Sequence, residues 1–328
     1  LAVMEAMAFV ERDTNRLLDK ALEYIPGDSV IASMIGDIRR WHQREPDWRV
    51  AREMLSEQYG YDTYGGNCHI VPNHGLIILA LLYGNDDFSD TLKIINTCGW
   101  DTDCNSGNLG CLMGIKEGLA GIDVGLSRGL DWRGPVADRI YVPTADPSWS
   151  ISDCVLETQH IVNAALALRG DQAWRPKSGA QFHFDMPGSV QGFTVTDGDG
   201  VITNQLGVSQ AGQHALRLQG QGLARFGTPT FAPSADFAAW TEQSWNPYPL
   251  IASPRVYPGQ ILNATLLQGE GASVRLYVAY YDANDDVQRV YSAAQSVNER
   301  ADLSFSIPEQ AFPAFEVGVE TAGTVYLD

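Results

Sequence analysis

The sequence predicts two domains: an all-α helical domain over residues 1–176 and an antiparallel β-sandwich, of the jelly-roll kind, over residues 177–328. In the first domain, apolar residues recur at steps of three and four, which is the spacing of a buried helical face. From about residue 180, apolar and polar residues alternate in short runs that turn residues separate, which is typical of strands. A chain of 328 residues is long enough for two domains that each bury a core.

Helical start and stop signals divide the first domain into elements. The Pro-Gly pair at residues 26–27 ends one helix, and Asp28 or Ser29 caps the next. A very apolar helix over residues 76–83 is predicted to occupy the centre of the helical bundle. Further helices are predicted from Pro46 onwards, over residues 88–97, from residue 102 onwards and over residues 153–168.

The helix predicted from residue 102 carries a stripe of glycines on one face. They are Gly107, Gly110, Gly114, Gly118 and Gly121. Each glycine inside a helix costs roughly 1 kcal/mol relative to alanine, so such a stripe is tolerated where another backbone or a ligand comes close. The stripe therefore predicts tight packing of this helix in the core, with direct substrate contact as the alternative.

In the second domain, alternation predicts strands at Phe182 and Phe184, at Phe193 and Val195, over residues 215–218 and over residues 274–280. Turn signals lie between these runs. Many short strands over roughly 150 residues favour an antiparallel sandwich.

The charge and the cysteine content limit the class of partner. The formal net charge is −18 at pH 7 and the isoelectric point is near 4.6. Such a field repels phosphate backbones and anionic membranes, so we expect neither nucleic acid nor a membrane as partner. Five cysteines without the spacing of a disulfide framework predict reduced thiols and a cytoplasmic protein.

Asp101 and Asp103 are the clearest candidates for chemistry. They flank Thr102 where a loop is predicted to become a helix. Two carboxylates one residue apart can converge on one hard cation, with other oxygen atoms completing its coordination. The alternative is a helix cap by Asp101 with Asp103 in the first turn, which requires no metal. Spacing alone favours the cap.

The segment GWDTDCN, over residues 99–105, resembles the C-terminal signature of the ADP-ribosylglycohydrolase family. Residues 69–73 and 79–88 are similar to that family too, and the resemblance covers about residues 1–170. It implies an all-α fold with a paired magnesium site. It also implies a glycosidase-type hydrolase that cleaves the ribosyl C1 bond of an ADP-ribosylated protein or of a related ADP-ribose derivative.

The resemblance implies that Asp101, Asp103 and Cys104 ligate Mg²⁺, because they occupy the ligand positions of the family motif. Asp101 and Asp103 are then the catalytic residues, and one of them also orients the attacking water. Cleavage at the anomeric carbon passes through an oxocarbenium-like state, in which metal ions hold the ribose hydroxyls and activate water. Cys104 departs from the threonine that is common in the family, and a thiol suits hard magnesium poorly. Water or Asn105 then replaces it as a ligand.

The other predicted site residues bind substrate: they are Trp100, Asn105, His69 and Asn73. Trp100 forms a wall of the cleft or stacks on the ligand, with buried packing as the alternative. His69 and His74 flank Asn73 and line the predicted cleft, although a lone histidine is more often a hydrogen-bonded packing residue.

The second acidic cluster of the family, and its substrate-binding glutamate, have no counterpart in this sequence. Residues 85–87 (NDD) are acidic but fit a helix cap. The chain begins without methionine and inside a helical pattern, so we expect the N-terminal part of the catalytic domain to be missing. The chain then carries half of a two-ion site.

Aromatic residues in the second domain offer an alternative function. Trp240, Trp245, Tyr248 and Tyr257 cluster among prolines, and they predict a sugar-stacking platform, with core packing as the alternative. On this interpretation the protein is a non-catalytic carbohydrate- or partner-binding protein with a degenerate hydrolase domain.

Overall fold

The computed structural model describes residues 1–66, 68–142, 146–231, 252–269 and 271–328. The chain divides into two compact units, Leu1–Trp132 and Arg133–Asp328. The first is helical and the second is mainly β. The fold class is therefore the predicted one, a helical region followed by an antiparallel β region.

The first unit contains seven α-helices and one 3₁₀-helix in the residues that the structure describes. The α-helices are α1 (Ala2–Ala8), α2 (Thr14–Leu22), α3 (Val30–Arg44), α4 (Trp48–Tyr59), α5 (Ile70–Tyr83), α6 (Phe88–Thr97) and α7 (Thr102–Asp123). The 3₁₀-helix, Val124–Arg128, follows α7 directly.

Helix α5 forms the centre of the helical core, as its apolar sequence predicts. Almost all of its residues are buried, and it packs against α3, α4, α6 and α7. The helix begins at Ile70, six residues before the predicted start at residue 76. Pro72 lies in the first turn, where a missing backbone N–H costs no helical hydrogen bond, so the helix can start before the proline.

The glycine stripe of α7 does not pack as predicted. A Cβ atom added at Gly107 or Gly118 would meet no neighbouring atom within 4 Å, so close packing is the wrong interpretation at these positions. Gly118 instead has a φ of 67° and interrupts the helix, and a residue without Cβ adopts that backbone easily. Close approach occurs at Gly75 of α5, where a Cβ would lie 2.8 Å from Leu55 Cδ1.

The second unit begins before the predicted domain boundary. It contains the paired strands β1 (Arg139–Tyr141) and β2 (Ile151–Asp153) and the helix α8 (Cys154–Arg169). Asp138 Oδ2 accepts hydrogen bonds from the backbone N–H groups of Val190 and Gln191, which ties this segment to the β region. The chain passes from the first compact unit to the second between residues 132 and 133. The domain boundary that the sequence predicts, between residues 176 and 177, stays a prediction.

Nine further strands form the β region in the part of the chain that the structure describes. They are β3 (Thr194–Asp197), β4 (Gly200–Leu206), β5 (His214–Pro229), β6 (Ile261–Leu267), β7 (Ala272–Tyr281), β8 (Val287–Tyr291), β9 (Gln295–Val297), β10 (Arg300–Ser306) and β11 (Ala314–Leu327). All of their pairings are antiparallel.

Two long strands, β5 and β11, link the two halves of the β region. One half contains β4, β6 and β10, and the other contains β3, β7, β8 and β9. The first part of β5 pairs with β4 and its last part with β3, while β11 pairs first with β7 and at its end with β6. One hydrophobic cluster contains residues of both halves, among them Leu218, Leu303, Leu276 and Val319. The strands therefore enclose a shared core, as in a β-sandwich.

The predicted strand at Phe182 and Phe184 does not form. The side-chain Oε1 of Gln191 accepts hydrogen bonds from the backbone N–H groups of His183 and Phe184, which replaces a partner strand. Phe184 is nevertheless fully buried. Among the residues that the structure describes, no helix has both the length and the apolar character needed to cross a membrane.

Candidate metal centre

The start of α7 brings together the three residues that the sequence predicts as metal ligands. One ligand atom each of Asp101, Asp103 and Cys104 lies within 4.8 Å of the others. Asp101 is the residue that precedes the helix, but its side chain makes no capping hydrogen bond. The capping hydrogen bond of the metal-free alternative is therefore not formed, although a carboxylate at a helix start still interacts favourably with the helix dipole.

Cys68, in the loop before α5, lies near Asp101 but is not one of the three residues whose ligand atoms converge. The Asp101 carboxylate is close enough to the thiols of Cys68 and Cys104 to shift their pKa values, chiefly through hydrogen bonding. These hydrogen bonds, with burial and the negative charges of Asp101 and Asp103, raise the pKa of both thiols. Sequence reasoning missed Cys68; the available signal was its place beside His69, at the edge of the family-like stretch.

The carboxylates of the centre have no positively charged partner. Within the described parts of the chain, no lysine, arginine or histidine nitrogen lies within ion-pair distance of Asp101 or Asp103. The neighbouring acidic segment differs: Asp86 Oδ1 lies 2.8 Å from Lys116 Nζ, and Asp87 lies 2.7 Å from Arg128. Asp87 also caps α6, as predicted for residues 85–87.

Asn73 and Asn105, predicted to bind substrate, hold the start of α7 in place. Both are buried, and Asn105 Nδ2 donates to Asn73 Oδ1 at 2.9 Å. The same oxygen accepts from the backbone N–H of Asp101 at 3.4 Å, while Asn73 Nδ2 donates to the Tyr61 hydroxyl at 2.7 Å. The amide network fixes the backbone that carries the two carboxylates. A role in substrate binding stays a prediction.

Trp100 is half-buried and its ring is in contact on two sides. The Tyr61 ring meets it edge-on at 5.1 Å, and the Arg52 guanidinium lies 4.7 Å from its centroid. Arg52 Nε also donates to the backbone oxygen of Cys98, just before the turn into α7. These contacts give Trp100 a packing role beside the centre, and its predicted contact with a ligand is not tested.

The two histidines occupy different environments. His69 is the residue that caps α5, and its Nδ1 accepts from the Val71 N–H at 3.2 Å, so the neutral ring carries its proton on Nε2. Burial lowers the pKa of His74 to about 4, which keeps that ring neutral at physiological pH. His69 thus caps α5 and is not part of the metal-ligand group, whereas His74 is a packing residue within α5.

The donor set combines two chemistries. Two carboxylates suit a hard cation such as Mg²⁺, which takes oxygen ligands and completes an octahedron with water. Thiolates suit softer cations such as Zn²⁺. Asp101 and Asp103 therefore fit the magnesium that the family resemblance implies, whereas Cys104 does not.

The aromatic platform predicted in the β region lies partly outside the described residues. Trp240, Trp245 and Tyr248 all fall outside them. Tyr257 is described: its ring stacks on Phe312 with centroids 5.5 Å apart, and both side chains are 44% exposed. A cleft of about 780 Å³ also opens in the β region, between β6, β10 and β11.

Comparison with solved structures finds carbohydrate-binding modules at low similarity. One match is a structure from work on carbohydrate-binding modules of the β-sandwich superfamily (16% identity, TM-score 0.31). The alignment covers 43% of this chain and 56% of the chain in that structure. A tandem pair of family 22 modules from Paenibacillus barcinonensis Xyn10C (16%, 0.31) covers 44% of this chain. The family 22 module of Clostridium thermocellum Xyn10B (16%, 0.30) also covers 44%. The chain spans 56% and 42% of the length of the first two, and scores this low carry no conclusion about a ligand.

Comparison of the sequence with curated proteins finds no match. The family model for ADP-ribosylglycohydrolase matches residues 1–150, a range that includes all of α1–α7 and the candidate metal centre. The match agrees with the resemblance carried by the GWDTDCN segment. Over residues 1–150, the chain is therefore similar to the ADP-ribosylglycohydrolase family.

Proposed function

We propose that the protein is a magnesium-dependent glycohydrolase that cleaves the ribosyl C1 bond of an ADP-ribosylated protein or of a related ADP-ribose derivative. One observation carries the proposal. The carboxylates of Asp101 and Asp103 converge, without a positively charged partner among the described residues, in a region that matches the ADP-ribosylglycohydrolase family.

The roles of the residues follow from their charge and position. Asp101 and Asp103 bind the cation and compensate its charge, and a divalent ion held there supplies electrostatic stabilisation for ribose oxygens and a water of lowered pKa. Asp103 is exposed, so its second oxygen can accept a proton from water that enters the site. The diphosphate of an ADP-ribose group is anionic, and a bound cation would offset the repulsion from a chain of net charge −18.

Asn73 and Asn105 contribute by position rather than by contact with the cation. Their buried amides keep the Asp101 backbone at the turn before α7. A rigid backbone at this point reduces the entropy lost when Asp101 and Asp103 converge on one ion.

Hydrolysis by the full chain tests the proposal. We expect Mg²⁺-dependent release of ADP-ribose from a mono-ADP-ribosylated protein, measured by chromatography, and loss of activity when EDTA is added. Asp101→Asn and Asp103→Asn should each lower the rate at least about 100-fold, because even outer-shell changes at metal sites cost 10–100-fold. Glu57→Gln, an exposed acidic residue of α4, is the matched control and should leave the rate unchanged. An Asp101→Asn variant as active as the wild type would defeat the proposal.

The second candidate is carbohydrate binding by the β region, with the hydrolase region inactive. The observation in its favour is the exposed, stacked pair of Tyr257 and Phe312, because sugars bind on the faces of such rings. Affinity electrophoresis in gels that contain soluble polysaccharides tests it. We expect Tyr257→Ala to abolish retardation, while Tyr24→Ala, an exposed tyrosine of the helical region, does not. Equal migration in gels with and without polysaccharide contradicts this candidate.

A further inference from the structure

The cleft in the β region runs along strand β6, which is only partly paired on one of its edges. On one side β6 pairs with β10 over its whole length. On the other side it pairs with β11 only at Leu266 and Leu267, after which the Asp328 N–H donates to the Thr265 oxygen at 2.9 Å. This second edge therefore has no partner strand over residues 261–264 in the described part of the chain.

Alternation along β6 identifies the backbone groups that this edge leaves unpaired. In an antiparallel strand, alternate residues direct both their N–H and their C=O group to the same edge. Thr265 bonds towards β11, so Asn263 and Ile261, two and four residues earlier, direct their backbone groups to the same edge. Among the described residues, none is hydrogen-bonded to these groups. Such an unpaired row is a template for a further strand.

The cleft begins where the pairing with β11 ends, and it follows the unpaired edge. Leu327 and Asp328 line it at that point, and all five residues over 261–265 line it further on. A strand residue occupies about 160 Å³, at a rise of about 3.3 Å, a strand spacing of about 4.8 Å and a sheet spacing of about 10 Å. The volume of about 780 Å³ therefore holds about five residues of extended chain, which is the length of the edge beside it.

We propose that this cleft binds an extended peptide segment of a partner protein, which adds a strand to the unpaired edge of β6. The peptide carries apolar residues at alternate positions and basic residues among the positions between them. The cleft lies in the β region and takes no part in the proposed hydrolysis, so the peptide site goes beyond that function and does not rest on it.

The walls of the cleft determine the side chains of the peptide. Phe182, Leu262 and Leu303 line the cleft with apolar side chains that also pack in the core of the β region. Asn263 and Asp302 line it too, but they are exposed. Because the side chains of a strand alternate between two faces, every second residue of the peptide meets the apolar wall. The others face solvent, where the net charge of −18 attracts basic side chains.

The same alternation determines which amides of the peptide bond to β6. Opposed residues of an antiparallel pair have their side chains on the same face of the sheet. Asn263 is exposed whereas Leu262 packs against the core, so the solvent-facing residues of the peptide are the ones that exchange hydrogen bonds with β6. The N–H groups of its apolar residues point to the opposite edge.

Fluorescence anisotropy with the full chain and a labelled, N-acetylated peptide of sequence KVTVKV tests the inference. We expect saturable binding with a Kd of about 100 μM or tighter. Methylation of the backbone nitrogens at the lysine and threonine positions should weaken binding at least about tenfold, because these amides bond to β6. Methylation at the valine positions should leave the Kd within about threefold. Equal binding by the two methylated peptides, or no binding of the unmodified one, would overturn the inference.

Proline variants of the protein test the strand edge itself. Asn263→Pro removes the N–H that faces the cleft but no hydrogen bond to β10, and proline is tolerated at such an edge. We expect it to weaken peptide binding at least about tenfold. Ser304→Pro is the matched control, because Ser304 is the cross-strand partner of Asn263 and its N–H points away from β6. The control should bind the peptide as the wild type does, and thermal unfolding checks that both variants are folded. Wild-type binding by Asn263→Pro contradicts the inference.

Two other occupants of the cleft give different outcomes. Displacement of the peptide by a soluble polysaccharide would assign the cleft to carbohydrate and overturn the inference. Self-association in size-exclusion chromatography that Asn263→Pro abolishes would mean that a second copy occupies the cleft, and the peptide partner would then be wrong. None of these measurements involves hydrolysis, so a negative result leaves the proposed function unaffected.

Discussion

The starts of α6 and α7 use the same residue type for different purposes. Asp87 precedes α6, accepts the N–H of Asp90 at 2.8 Å and pairs with Arg128. Asp101 precedes α7, makes no capping bond and has no positively charged partner among the described residues. The first carboxylate makes a cap and an ion pair, and the second makes neither. Position at a helix start therefore does not by itself assign an aspartate to either role.

The largest effect on stability should come from Asn73, which holds the backbone of Asp101 at the start of α7. Asn73→Ala removes the acceptor of Asn105 Nδ2 and the donor to the Tyr61 hydroxyl, so buried polar groups lose their partners. We expect a loss of about 1–3 kcal/mol in the free energy of unfolding, measured by urea denaturation followed through helical circular dichroism. Asn96→Ala, which loses only a partly buried bond to its own helix, serves as the control and should cost less. Equal losses would mean that the amide network does not hold the start of α7.

A smaller effect should separate the two aspartates. Asp87→Ala removes a helix cap and a partly exposed ion pair, and we expect it to lower the free energy of unfolding by about 1–2 kcal/mol. Asp101→Ala removes no cap, so in metal-free buffer its cost should stay below about 0.5 kcal/mol. Urea denaturation of both variants in EDTA measures the difference. A larger loss of unfolding free energy for Asp101→Ala would show that its carboxylate stabilises the helix.

The smallest effect concerns pH. Burial raises the pKa of Asp87, but the hydrogen bonds from Arg128 and from backbone N–H groups outweigh it, so the folded pKa lies below the ordinary value. The charged carboxylate therefore contributes its full stabilisation above an unfolded pKa of about 3.9, and this contribution is lost as the pH falls through the folded value. The difference in free energy of unfolding between wild type and Asp87→Ala should shrink from pH 7 to about pH 3. A difference that grows on acidification would reverse the assigned sign.

The features that could be predicted from the sequence depend on residues that are close together along the chain. Asp101, Asp103 and Cys104 lie within one helical turn, so a local motif was enough to group them. Caps such as Asp87 could be predicted for the same reason. Helix α5 could be placed at the centre of the bundle because it is apolar on every face.

What the sequence did not predict depends on contacts between distant residues. Cys68 reaches Asp101 across 33 positions of the chain, and no periodicity encodes that approach. The strand expected at Phe184 is absent because a side chain, Gln191, supplies the hydrogen bonds that a neighbouring strand would give. The glycine stripe indicated close packing against a neighbour, but Gly118 needs its missing Cβ for its positive φ, and a Cβ at Gly121 would clash with Glu117 of the same helix.

The two long strands of the β region determine how that region comes apart. Since β5 and β11 each carry backbone hydrogen bonds in both halves of the sandwich, neither half can be peeled away while the other keeps its full ladder. Pulling on one half transmits force along continuous main chain into the other. The β region should therefore resist mechanical load as one body and yield in a single rupture.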